Sequence, residues 1–162
     1  MLPVECQFEN YFITTDLQKM DVPAVHAFLS HDSGWARNIP FDVVRKSMDN
    51  SLNFGLFHND HQIGFARVIS DYATIAYLGD FYILGSYRGR GLAKRLMDVI
   101  IKHPQLQGLR RWILLTSTAD WLYEKYGFSK PLHPEWYMER HETDLYTTAV
   151  KQQRDDGKKD SE

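Results

Sequence analysis

Ile83-Leu84-Gly85-Ser86-Tyr87-Arg88-Gly89-Arg90-Gly91-Leu92-Ala93 joins an apolar run to an amphipathic one through a turn that holds Arg88, Gly89, Arg90 and Gly91. The pattern predicts the end of a strand, a short turn and the first residues of a helix. Backbone N–H groups at a helix start are unpaired and point outward, and the helix dipole adds partial positive charge there. Glycine lets a phosphate approach backbone that a Cβ would shield. The turn therefore suits a phosphate-bearing ligand. No Gly-x-x-x-x-Gly-Lys-Ser/Thr loop occurs in the chain, and Gly89-x-Gly91 is followed by Lys94 where a dinucleotide fingerprint needs a third glycine. A solvated basic turn and an RNA-contacting patch are the other readings of these residues alone.

Working outward, residues 74–84 read as a long apolar strand feeding the turn. Leu92, Leu96, Val99 and Ile100 follow helical spacing after it, until His103-Pro104 stops the helix. Trp112-Ile113-Leu114-Leu115 is a continuous apolar run, as expected of a strand buried on both faces. A short helix is predicted over 119–126, closed by Gly127, and one or two final strands over 128–140. Upstream, residues 7–14 read as a first strand. Asp21-Val22-Pro23 opens a helix whose Val22, Val25, Phe28 and Leu29 share a face. Residues 33–40 read as a loop, 41–49 as a second helix, and 52–57 with 62–69 as strands joined by a turn at 58–61. Mixed order of this kind implies an α/β or α+β fold. The strands flanking the central helix, 74–84 and 111–116, would pair in parallel.

The 162 residues suit one domain, placed at 1–145, with a polar tail over 146–162. The chain is 43% hydrophobic and 25% charged, ordinary values for a globular protein. A net charge of −2 provides no global basic field for nucleic acid. Cys6 is the single cysteine, so no intrachain disulfide forms, and a reducing, cytoplasmic setting is expected. Nothing near Cys6 looks like a base that would make it a nucleophile. No signal peptide and no run of 18 apolar residues are present, so no membrane association is expected.

A second motif follows about 30 residues after the first: Ala119-Asp120-Trp121-Leu122-Tyr123-Glu124-Lys125-Tyr126-Gly127-Phe128. Arg88, Gly91 and Ala93 fit Arg/Gln-x-x-Gly-x-Gly/Ala, and the later run fits Ala-x-x-aromatic/Leu-Tyr-x-x-x-Gly-Phe. In that order, with those elements between them, the chain resembles the GNAT superfamily of acyl-CoA N-acyltransferases over about residues 10–140, in particular its small free-standing bacterial members. The resemblance implies a central mixed, mostly antiparallel sheet of six to seven strands with helices on both faces. It also implies acetyl-CoA, or another acyl-CoA, as co-substrate, with no metal.

By this resemblance the chemistry is acetyl transfer to a primary amine by direct attack. Tyr123 takes the position of the general acid that protonates the departing CoA sulfur. Free thiols and phenols have pKa values of about 8.5 and 10, close enough for useful transfer. Tyr126 is the local competitor. The backbone of Phe81, Tyr82 and Ile83 would hold the pantetheine arm as an added strand. Arg88, Gly89, Arg90, Gly91, Leu92 and Ala93 would cradle the pyrophosphate, with the arginines adding charge. Thr116 stands where many members have an asparagine that contacts the pantetheine. Asp80 is a candidate base whose other reading is a structural carboxylate at a bulge beside Gly79. His133, Glu135 and a water chain are the alternatives.

The acceptor, a small-molecule or peptide amine, would be met by His31 to Pro40 and Pro131 to Arg140. Trp35 and Trp136-Tyr137 are candidate walls, and Asp32, Glu135 and Glu139 candidate attractors of a cation. Two other classes stay open. One is a catalytically inactive acyl-CoA-binding module. The other is a nucleic-acid binder using Arg88, Arg90, Arg110 and Arg111, which the net charge disfavours. Oligomeric state is not legible, and a homodimer stays open.

Overall fold

A computed structural model describes residues 2–148; most of the polar tail lies outside them. The chain divides into two compact units, residues 2–21 with 46–129, and residues 22–45 with the segment from 130 onward.

The first unit is built on a six-stranded sheet in sequence order, β1 Glu5–Phe8, β2 Tyr11–Thr14, β3 Leu52–His58, β4 His61–Ser70, β5 Ile75–Ile83 and β6 Arg111–Leu114. Neighbours pair antiparallel through β5, and β5 pairs β6 in parallel, as the reading of the central crossover required. The β3–β4 hairpin closes at His58↔His61, with Asn59 at φ +52°, a conformation asparagine tolerates better than most residues. Helix α3, Leu92–Ile101, buries Leu92, Leu96, Met97 and Ile100 in one cluster with Phe54, Leu56, Ala66, Val68, Ala76 and Leu78 of the strands.

Three expectations change. Residues 7–14 form two strands, because the polar pair Glu9-Asn10 turns the chain between Phe8 and Tyr11, with Glu9 at φ +48°. The run at 112–115 is not buried on both faces. β6 ends the sheet, so Trp112, Ile113 and Leu114 are half-buried and Leu115 is 74% exposed. No strand forms over 128–140 among the described residues. Pro131 and Pro134 lack the N–H that a ladder needs, and the segment holds only a helical turn at Pro134–Trp136.

In the second unit, α1 spans Val22–Ala27 and runs into one wide helical turn, Phe28–Asp32. Val22, Val25, Phe28 and Leu29 are buried, as their spacing predicts. Ser33 N donates to Phe28 O at 2.8 Å and ends the helix. Helix α2, Phe41–Asp49, starts in this unit. His26 meets the Phe41 ring edge-on at 5.4 Å and bonds Ile39 O through Nε2 at 3.0 Å, which fixes the loop between the helices.

Candidate functional site

The site begins where β5 leaves β6. The parallel pairing ends at Leu78↔Leu114, so among the described residues the later half of β5 has no strand on that side. Antiparallel pairs alternate between groups that face the partner and groups that face away. Leu84 N donates to Ile63 O at 2.8 Å, and Tyr82 opposes Phe65, so the backbone groups of Phe81 and Ile83 point to the open edge. Gly64 permits this close pairing, because a Cβ there would lie 2.8 Å from Ile83 Cδ1 and 3.0 Å from Tyr82 O.

A bulge marks the start of this edge. Arg67 opposes Gly79 while Phe65 opposes Tyr82, which leaves one extra residue on β5. Asp80 sits there at φ +52°. Its carboxylate accepts from Arg67 Nε at 2.8 Å, and Arg67 Nη1 donates to Ser51 Oγ at 3.1 Å. Both members of the ion pair are largely shielded from solvent. Arg67 and Ser51 escaped the sequence reading, because only the hairpin register brings Arg67 beside Asp80.

At the other end of the edge the chain turns through Gly85–Tyr87 into α3. Gly91 caps α3 at φ +75°, and the first backbone bond of the helix runs from Arg95 N to Gly91 O at 3.2 Å. A serine or threonine cap would cover the free N–H groups with its hydroxyl. Glycine leaves them open, and none of the N–H groups from Gly89 to Ala93 donates to a described acceptor. A Cβ at Gly85, Gly89 or Gly91 would meet nothing within 4 Å. These N–H groups and this space fit a phosphate.

The two arginines are already partly engaged. Arg88 Nε donates to Ile83 O at 3.1 Å, which occupies one carbonyl of the open edge. Arg90 Nη2 donates to Ser86 O at 3.2 Å, and its guanidinium lies 5.1 Å from the centre of the Tyr87 ring.

Helix α4, Asp120–Tyr123, and the turn Glu124–Tyr126 end at Gly127, whose φ is +84°. Tyr123 is 7% exposed, with its ring edge-on to Phe81 at 5.9 Å and to Phe128 at 6.1 Å. Among the described residues its hydroxyl has no hydrogen-bond partner, and burial pushes the phenol up to about 12. Tyr126 has a different environment. Its hydroxyl lies 2.9 Å from both Lys94 O and Asp98 Oδ1 on α3, which ties the turn to that helix. Burial and the Asp98 carboxylate also raise this phenol to about 12. Thr116 Oγ1 accepts from Ala119 N at 3.0 Å, so it shapes the entry to α4.

The structure thus gathers Phe81, Tyr82, Ile83, the turn from Arg88 to Ala93 and Tyr123 within one unit. Trp35 and Glu135 lie in the other. Trp35 is 57% exposed and tilts against Phe28 at 6.4 Å. Glu135 pairs with His133 Nδ1 at 3.1 Å, and His133 stacks on Trp136 at 3.9 Å. Among the described residues no group of three or more His, Cys, Asp or Glu is placed to hold a metal, and no helix is long and apolar enough to cross a membrane.

Similarity to known proteins bears on this arrangement. The family profile described as "Acetyltransferase (GNAT) domain" matches residues 49–130. A candidate acetyltransferase of Gibberella zeae is 30% identical over 138 residues, covering 72% of this chain and 77% of its own. The crystal structure of a candidate GNAT-family acetyltransferase from Xanthomonas campestris is 48% identical and superposes with a TM-score of 0.83, over 86% of this chain and 99% of that one. An acetyltransferase fold from Clostridium acetobutylicum, crystallised with acetyl-CoA, superposes at 0.61 with 17% identity, over 82% of this chain and 95% of that one.

Proposed function

The chain belongs to the GNAT family of acetyltransferases, and from that premise we propose that it moves an acetyl group from acetyl-CoA to a primary amine by direct attack, with Tyr123 as general acid for the CoA thiolate. One observation carries the reading. Among the described residues no strand lies beside β5 at Phe81 and Ile83, this edge leads into the N–H cluster of Gly89 to Ala93, and the Tyr123 ring is packed beside Phe81.

When bound, acetyl-CoA supplies an activated acyl group and a sulfur leaving group. The open groups of Phe81 and the Ile83 N–H hold the pantetheine amides, while Ile83 O stays with Arg88. The N–H groups of Gly89 to Ala93 hold the pyrophosphate, and Arg90 adds charge beside it. Tyr123 Oη donates toward the departing sulfur. Its raised pKa keeps the phenol protonated at neutral pH. The same burial disfavours a naked thiolate, so both groups shift in one direction. Asp80 holds the bulge through Arg67, a reading supported by its ion pair. The amine's proton then leaves through water or another group. Trp35 and Glu135 are our candidates for the acceptor side, and Thr116 is a candidate pantetheine contact.

The alternative is an inactive acyl-CoA-binding module on the same fold. Thiol release from acetyl-CoA, measured against a panel of primary amines, tests the choice. Turnover with at least one amine supports the enzyme. Tight CoA binding with no turnover across the panel favours the module.

A further inference from the structure

Between Gly85 and Gly91 every residue is exposed except Tyr87, which is half-buried. Tyr87 is therefore the one side chain of this turn that packs partly out of solvent. Its side chain ends a row of rings. Phe8 stacks on Tyr11 at 5.5 Å, Tyr11 packs on His58 at 5.0 Å, and His58 meets Tyr87 edge-on at 5.4 Å. Guanidinium groups cover both ends, Arg95 at 5.4 Å from Phe8 and Arg90 at 5.1 Å from Tyr87. One polar link crosses the row. His58 Nδ1 and Tyr87 Oη lie 3.0 Å apart, with the donor set by the imidazole tautomer.

Packing alone does not require this link, since a phenylalanine at 87 would fill the same place. The link does define the height and rotation of the Tyr87 ring above β3. Arg90 lies on that ring and is tethered to the carbonyl of Ser86, the residue directly before Tyr87 in the turn. The ring therefore sets where the guanidinium points and how rigidly the N–H groups of Gly89 to Ala93 are presented. Ordering such a turn only when the ligand arrives costs binding free energy.

We propose that His58 and Tyr87 are positioning residues for phosphate recognition, acting through the turn and through Arg90 without touching the reacting atoms. The proposal rests on the reading of this turn as the CoA phosphate site. Titration calorimetry of the full chain with CoA, with a thermal melt of every variant, tests it. Tyr87→Phe and His58→Leu should each weaken CoA by about fivefold, the scale of one hydrogen bond. The double variant should be no weaker than either single one, because both remove the same link. His58→Asn, which keeps an amide near the place of Nδ1, should restore most of the affinity. Tyr87→Leu, which also removes the platform of Arg90, should lose more than Tyr87→Phe. Failure of the unaltered chain to bind CoA would overturn the site reading and this proposal with it. CoA binding that is unchanged in Tyr87→Phe and His58→Leu would overturn the proposal alone. So would losses that add in the double variant, or that His58→Asn does not relieve.

Discussion

Replacing Tyr123 by Phe removes one hydroxyl and leaves the ring contacts to Phe81 and Phe128 in place. The phenol is held at about 12 by burial. A free thiol near 8.5 lies roughly 3.5 pH units lower, so complete proton transfer to an aqueous-like thiolate would run uphill by about 5 kcal/mol. In the proposed role the hydroxyl would therefore act chiefly as a hydrogen-bond donor to the charge developing on sulfur. Such a bond to a charged group contributes about 1.5–3 kcal/mol, which predicts a fall in kcat between about tenfold and 150-fold. The KM for acetyl-CoA should change little, since the interaction grows as the C–S bond breaks. The melting temperature should hold or rise slightly, because the hydroxyl has no partner among the described residues. Tyr126→Phe should do the reverse. It loses the bond to Asp98 and Lys94, costing about 1–2 kcal/mol of stability, and keeps kcat. The assay is thiol release at saturating amine, with a thermal melt on each variant. Full turnover in Tyr123→Phe refutes the role. Equal loss of turnover in both variants, tracking their stability, refutes the division between them.

Gly91→Ala places a Cβ at φ +75° and should cost about 1–2 kcal/mol of stability; it should also weaken CoA at least tenfold in calorimetry by crowding the open N–H groups. Asp80→Asn leaves Arg67 without its carboxylate and should destabilise by about 1–3 kcal/mol in urea melts; a pH–rate profile of the same shape as the parent's would agree with a structural role, whereas loss of its acidic limb would make Asp80 the base. His103 is 2% exposed, edge-on to Phe54, and desolvation lowers its pKa. The neutral ring is therefore the folded form. Its contribution is present above the ordinary histidine value of about 6.5 and is lost as pH falls below it, because only the unfolded chain then takes up the proton readily. Melting temperatures at pH 7.5 and 5.5 should differ more for the parent than for His103→Gln.

Much of the frame could be read along the chain because it depends on local order. The strand, turn and helix at 75–101, the second helix over 41–49, and the Gly127 stop each follow from neighbours a few residues apart. What failed was information carried across the sheet. An apolar run such as Trp112 to Leu115 looks the same whether one strand or two flank it, and here only one does. Asp80, read along the chain as a candidate base or as a structural carboxylate, has Arg67 beside it only through the strand register. Tyr123 and Tyr126 sit three residues apart in one short motif, and only the packing shows that Tyr126 is bound to α3 while Tyr123 faces Phe81.

The sequence by itself determined the order of the elements, the glycines that open the turn and the family of the chain. These rest on side-chain periodicity and on backbone freedom, which short stretches carry. The tertiary structure decided where, among the described residues, β5 loses its neighbouring strand beyond Leu78, which carbonyl Arg88 already occupies, and which ring the turn after β5 rests on. Those properties belong to residues distant in sequence, such as His58 and Tyr87, whose meeting is set by strand pairing and packing.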